Sequence, residues 1–260
     1  MATGRTLNRW SKVYAGGYDF SGYARSIGEL PFAFQFADVS TLSDGISNVM
    51  VNTTEGRELN INCILDTALV PIAAAGGTYW DLMVALGIRA DPAAGDPVYM
   101  GKFALTQNMA GEDGGAIVAA LKFQGLDASD PQTYRQPWGT LVHAKAAEVG
   151  ANVAIGYTDG QVGATSYGGF MMYEIFSLDA GTVTISMDDS ATNLNNAAFA
   201  ACAGMTTAAI AQAATPCAGI IELGHTATIR QYVRFQVALA GGGSTCTFAL
   251  AFVRGTVGLN

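Results

Sequence analysis

Arg234–Gly255 reads RFQVALAGGGSTCTFALAFVRG. Two apolar runs rich in aromatic and β-branched residues, Tyr232–Leu239 and Cys246–Val253, flank AGGGST. Glycine tolerates positive φ, so the spacing predicts a hairpin with its turn at Gly241–Gly243. Outward from here, strand signals dominate. Thr182–Met187 (TVTISM) alternates, and Leu59–Leu65 sets Leu59, Ile61, Cys63 and Leu65 opposite Asn60, Asn62 and Ile64. Leu30–Phe36 (LPFAFQF) puts Phe32, Phe34 and Phe36 at period two on one strand face.

Helix signals are few. Thr78–Leu86 (TYWDLMVAL) has helical spacing, with Trp80, Met83 and Val84 on one side and Gly87 as its stop. Ser40–Val49, capped by Ser40 or Thr41, and the Ala-rich Asn195–Ala203 and Thr206–Ala214 are further candidates. Loops are expected at Ala90–Pro97, Ala110–Gly115, Asp127–Pro137 and Gly156–Gly169.

The two halves of the chain resemble each other. LNINCILDTA (Leu59–Ala68) and TVTISMDDSA (Thr182–Ala191) are alternating strands that end in Asp, a hydroxyl residue and Ala. An anchoring aromatic follows each, Trp80 and Phe199, and then a hairpin, Lys102–Gly125 and Arg234–Gly255. The expected fold is mainly β, with two sandwich- or barrel-like units at 1–126 and 127–260, each with a small packed helix.

Composition bounds the function. Charged residues make up 13% of 260 residues and apolar ones 50%. Ordinary soluble domains carry about 25% charge. Small polar residues or neighbouring subunits must therefore cover the surface. A net charge of −8 argues against a grip on nucleic acid, which needs clustered Lys and Arg. An acidic wall would instead let phosphates slide past.

The opening MATGRTLNRWSKVYAGG has no apolar run of signal-peptide length, so synthesis in a cytoplasm is expected. Ala68–Ala75 and Ala197–Met205 are too short to span a bilayer, and no membrane role is expected. Cys63, Cys202, Cys217 and Cys246 have no metal-ligand spacing. They are read as buried thiols, with a Cys202–Cys217 bridge as the alternative.

No catalytic constellation appears, and neither an enzyme nor a cofactor is expected. His143 and His225 lie in no catalytic or metal spacing. Asp188 and Asp189 at a strand end read as a turn cap rather than an acid/base or Ca²⁺ pair. Glu112 and Asp113 keep a hairpin tip solvated. Arg230, Arg234 and Arg254 either make salt bridges between subunits or guard an edge strand.

Tyr18–Asn48 (YDFSGYARSIGELPFAFQFADVSTLSDGISN) resembles the opening of the major tail tube proteins of long-tailed, siphovirus-like phages. Asp19, Ser21, Gly22, Tyr23, Arg25 and Gly28 carry the match, followed by Asp38, Ser40, Thr41 and Asp44. The ending RQYVRFQVALAGGGSTCTFALAFVRG resembles the closing hairpin of the same broad group of virion proteins through Arg230, Tyr232, Val233 and Arg234. Asp66–Gly169 matches it poorly.

The resemblance implies a sandwich with a flanking helix, assembling into stacked rings that conduct DNA through a hollow tube. Single-unit members form hexamers, and a duplicated chain implies trimers. Phe32, Phe34 and the three arginines are then candidate subunit contacts, and Glu112 and Asp113 candidate lumen acids. Other tail proteins are the further partners implied, and the tail of the virion the location. Two alternatives compete. One is another lattice component, such as a decoration or tail-terminator protein. The other is a carbohydrate- or receptor-binding sandwich using Tyr157, Tyr167, Tyr173 and Trp138.

Overall fold

The computed structural model describes residues 10–22, 24–28, 30, 34–38, 49–55, 58–64, 79–88, 90–113, 116–125, 138–150, 152–155, 164–192, 198–224, 226–241 and 244–255. In chain order the strands are β1 (Ser11–Ala15), β2 (Tyr18–Asp19), β3 (Ala24–Ile27), β4 (Phe34–Asp38), β5 (Val49–Glu55) and β6 (Glu58–Ile64). Next come β7 (Tyr79–Leu86), β8 (Pro97–Asp113), β9 (Ala116–Gly125), β10 (Trp138–Val149), β11 (Asn152–Ile155) and β12 (Gly169–Leu178). The last are β13 (Thr182–Ser190), β14 (Ala200–Thr206), β15 (Ile210–Ala211), β16 (Cys217–Leu223), β17 (Tyr232–Ala240) and β18 (Thr245–Arg254). The fold is mainly β and sandwich-like, and every described strand pair is antiparallel.

The chain forms two compact units, and neither is a continuous half. The first draws on 1–22, 81–101 and 134–260, the second on 23–80 and 102–133. A cut at 126/127 therefore does not part them.

In the second unit, β6 lies between β3 and β9, and β9 pairs with β8. Along β6, Leu59, Ile61 and Cys63 are buried and Asn60, Asn62 and Ile64 exposed, as the alternation predicts. β8 and β9 pair as the expected hairpin, with Asp113 opposite Ala116. Phe103, Leu105, Leu121 and Phe123 are buried here. β4 and β5 pair with each other. Phe34 opens β4, while Phe32 and most of Ser40–Val49 lie outside the described residues, as do Asp127–Pro137 and most of Gly156–Gly169.

In the first unit, a large sheet runs β16-β12-β18-β10-β8-β7-β1-β2, and a smaller one runs β11-β17-β13-β14 with β15 on β13. Val183, Ile185 and Met187 of β13 and Val233, Phe235 and Val237 of β17 pack in one core with Met171 and Ile175 of β12 and Phe248, Leu250 and Phe252 of β18. The opposite faces of β12 and β18 enter a second core. There Phe170, Met172, Ala249, Ala251 and Val253 meet Tyr14 of β1, Met83 of β7 and Met100 of β8. Burial on both faces explains why β18 reads as an almost unbroken apolar run, and it is the pattern expected of a strand between two layers.

Three expectations are corrected. First, β17 and β18 are not a hairpin. β17 pairs with β13 and β11, and β18 with β10 and β12. The chain thus changes sheets between β17 and β18, and it does the same between β12 and β13. Gly181 in that second connection has φ +76°, and a Cβ there would run into Ala240 O. Asp179 ties the connections together: its carboxylate accepts the Thr245 N–H at 2.6 Å, and its own N–H donates to Thr245 O at 3.1 Å. The second half thus lacks the closing hairpin that made it look like a copy of the first.

Second, no α-helix occurs among the described residues. Tyr79–Leu86 is a strand paired with β1, Tyr14 opposite Met83. Its successive buried residues Leu82, Met83, Val84 and Ala85 defeat a period argument, because a strand covered on both faces has no polar side. Ala200–Thr206 is also a strand, and Gln212–Ala214 a single 3-10 turn. Alanine's helical preference, a few tenths of a kcal/mol per residue, yields there to pairing with β13.

Third, Asp188 and Asp189 cap no turn. Both lie inside β13, opposite Arg234 and Val233, and both are buried.

Candidate subunit interface

The three arginines gather where β17 and β18 meet the end of β13. Arg234 projects from β17 and donates to Asp188 Oδ2 through Nε at 3.0 Å and Nη2 at 2.8 Å. Gln236 Nε2 donates to the same oxygen at 2.6 Å. The Arg234 guanidinium also lies over the Phe199 ring, 4.7 Å from its centroid. Asp189 Oδ2 accepts the Arg230 N–H at 2.9 Å, while the Arg230 side chain stays half exposed, its Nε 3.8 Å from Oδ1. Arg254 donates to Ile229 O at 3.2 Å and Gln231 O at 2.9 Å.

These cations are thus engaged within the chain. β17 is an interior strand of its sheet, so Arg234 guards no edge. The sequence shows both acids and all three arginines, but only β13–β17 register sets Arg234 against Asp188.

Glu112 and Asp113 are the last two residues of strand β8, which runs through most of the expected Ala110–Gly115 loop. His143 sits between Glu148 Oε1 at 3.0 Å and Phe248 O at 3.3 Å and stacks on the Phe248 ring at 4.2 Å, which is a packing role in a strand. His225 and Tyr157 lie outside the described residues. Trp138 rests edge-on against Tyr99, and Tyr167 and Tyr173 are half-buried, so these three do not stand out as an exposed aromatic face.

All four cysteines are free thiols. Burial pushes the Cys246 thiol up to about 12 and that of Cys202 to about 11, and raises Cys63 and Cys217 as well. A thiol held protonated is a poor nucleophile. In the native protein near pH 8, the half-buried Cys217 should alkylate before the other three, all of which should wait for unfolding. Mass spectrometry of an iodoacetamide time course reads the order directly.

The surface feature that residue-by-residue reading missed is an absence. No Asp, Glu, Lys or Arg occurs between Asp189 and Glu222. That segment's β14 and β15 belong to the smaller sheet, while its last residues enter β16 of the larger one. β14 is the last strand in its order, and Ala200, Ala201 and Ala203 on it are exposed. Ala208, Ala209 and Ala211–Ala214 are exposed beyond it. Edge strands of soluble proteins usually carry Lys, Pro or a covering segment against sideways pairing. β14 (AACAGMT) carries no charge and no proline. The long gap between charges was the available signal, and the alanine content diverted it toward helices.

No group of His, Cys, Asp and Glu among the described residues is arranged to hold a metal ion, and no helix among them is long and apolar enough to cross a membrane.

No protein-family model matches the chain, and no curated protein matches it. Among solved structures it is similar to the Dit protein of phage SPP1, described as a paradigm of hub adsorption apparatus in Gram-positive infecting phages. That likeness has 12% identity and a TM-score of 0.32 over 94% of this chain and 99% of that one. It is also similar to a structure of infectious bursal disease virus, Gx strain, at 12% identity and a TM-score of 0.28, over 97% of this chain and 57% of the other. Likenesses this distant say nothing about what this chain binds.

Proposed function

We propose that this chain is a non-enzymatic structural subunit of a virion, packing against copies of itself in rings that stack into a phage tail tube. The observation that supports this most is the uncharged, exposed ribbon from β14 to the 3-10 turn, whose open strand edge a sister molecule would complete. The opening Asp19–Gly28 pattern adds the resemblance to tail tube proteins, and a net charge of −8 suits a wall that DNA passes without binding. Ring closure hides strand edges, which fits a chain of low charge and many strands. Trimer or hexamer, contacts with other tail proteins, and a virion location follow from the same reading.

Electron microscopy and light scattering of the purified protein test it. Stacked rings or tubes are expected at high concentration. The double variant Ala203→Lys, Ala209→Lys should abolish them while changing monomer stability by less than about 0.5 kcal/mol, since both sites are exposed. Flat or capsid-bound patches would point to another lattice component. Dispersed particles that bind glycans would point to a carbohydrate-binding module. A compact monomer that no partner of the same virion recruits overturns the tube.

A further inference from the structure

Glu174 lies in the middle of β12 and is fully buried. One carboxyl oxygen, Oε2, accepts the Gly17 N–H at 2.6 Å from the turn between β1 and β2. The other, Oε1, has no hydrogen-bond partner among the described residues. The groups facing it do not compensate an anion. β7 presents Asp81, a like charge; β1 presents Tyr14; β16 presents Cys217. Lys145 of β10 lies over the Phe176 ring two positions along the strand, but its ammonium is held by Asp19 at 2.6 Å.

Burial, with Asp81 adding to it, raises the carboxyl well above its usual range, against the single opposing bond from Gly17. The neutral acid can accept the Gly17 N–H through its carbonyl oxygen. The anion would have to be hydrated.

Of the elements around this carboxyl, the turn that bonds it is the one outside the strand ladders of β12. β12 is paired along both edges, to β16 and to β18. β2 has only 2 residues. The turn and β2 are held by Gly16 N–H to Asp81 O at 3.0 Å, Phe20 N–H to Val13 O at 2.8 Å, Val13 N–H to Ser21 Oγ at 3.0 Å, the Lys145–Asp19 ion pair at 2.6 Å and the Glu174 bond. It sits tight on the strands beneath. Gly17 has φ +85°, and a Cβ there would come within 2.6 Å of Ile175 O and 2.8 Å of Pro216 C, and nearer still to Cys217 N.

We propose that the β1–β2 turn is a strap latched by the protonated carboxyl of Glu174, and that it lifts off β12 and β16 when that carboxyl loses its proton. The sign follows from linkage. The folded state binds this proton more tightly than the unfolded chain, so the latch is strongest below the ordinary glutamic acid range and weakens as pH rises above it.

Hydrogen exchange of the peptide covering 10–22, corrected for intrinsic rates, tests this across about pH 5 to about pH 9. The wild-type strap should lose protection about tenfold or more as pH rises, by the tenfold-per-unit law of a single titration. β18 peptides should stay protected throughout. Glu174→Gln should keep the strap protected and flat with pH. Gly17→Ala should open it at every pH while β18 stays closed, which gives a second readout should Glu174→Gln fold poorly. A flat wild-type profile overturns the proposal, and so does an equal loss in wild type and Glu174→Gln.

Discussion

Replacing Asp188 by Ala should destabilise the chain by about 3–5 kcal/mol, because it removes the buried carboxylate that the largely covered Arg234 guanidinium bonds through two nitrogens. The Arg234 side chain is 16% exposed and that of Asp188 10%, so water can do little for either alone. The same carboxylate oxygen also takes the Gln236 amide, which would lose its partner too. In a domain of this size the melting temperature should fall by roughly 10 °C.

The double replacement Asp188→Leu, Arg234→Met separates the broken pair from the value of the pair itself. Apolar isosteres of a buried ion pair are often neutral or better, so most of the loss should be recovered. If Asp188→Ala melts within a degree or so of wild type, the pair is solvated and the cluster is not buried as described. Asp189→Ala should cost less, since Arg230 is half exposed and only the Arg230 backbone N–H is left unmatched.

Phe235→Ala should cost about 3–5 kcal/mol by opening a cavity between the sheets. Phe235 of β17 is fully buried and meets the Phe252 ring of β18 edge to face, 5.6 Å between centroids. That contact runs from the smaller sheet to the larger one. Urea unfolding should show a lower midpoint at an unchanged slope, the sign of lost packing rather than a changed unfolded state. An effect under about 1 kcal/mol would mean that β17 and β18 do not face each other across a tight core.

That arrangement also shows where sequence reading stops. A hairpin and an arch both ask for two alternating strands and a glycine-rich link, and AGGGST satisfies either. β18 carried the distinguishing mark, since Phe248, Leu250 and Phe252 alternate with Ala249 and Ala251 and leave no polar side for solvent. A hairpin partner with one wet face, like β17, does not match a strand buried on both.

The arginine cluster was half legible. Arg230, Arg234 and Arg254 stood out, but their in-chain partners depend on register set between strands far apart in sequence. Glu174 gave no signal at all, because FMMYEIF reads as an apolar strand with one acid of unknown facing.

From its amino acids alone, the chain is determined to be mainly β, with the alternating faces of β6 and β13 and the pairing of β8 with β9. Those features are local: side-chain alternation and turn chemistry act over a few residues. Tertiary structure decided that Tyr79–Leu86 and Ala200–Thr206 are strands, that β17 and β18 belong to different sheets, and that the units cut across the chain's halves. Each of these turns on which distant strand supplies the hydrogen bonds and the second apolar face, and that competition is won by total burial rather than by any residue's own preference.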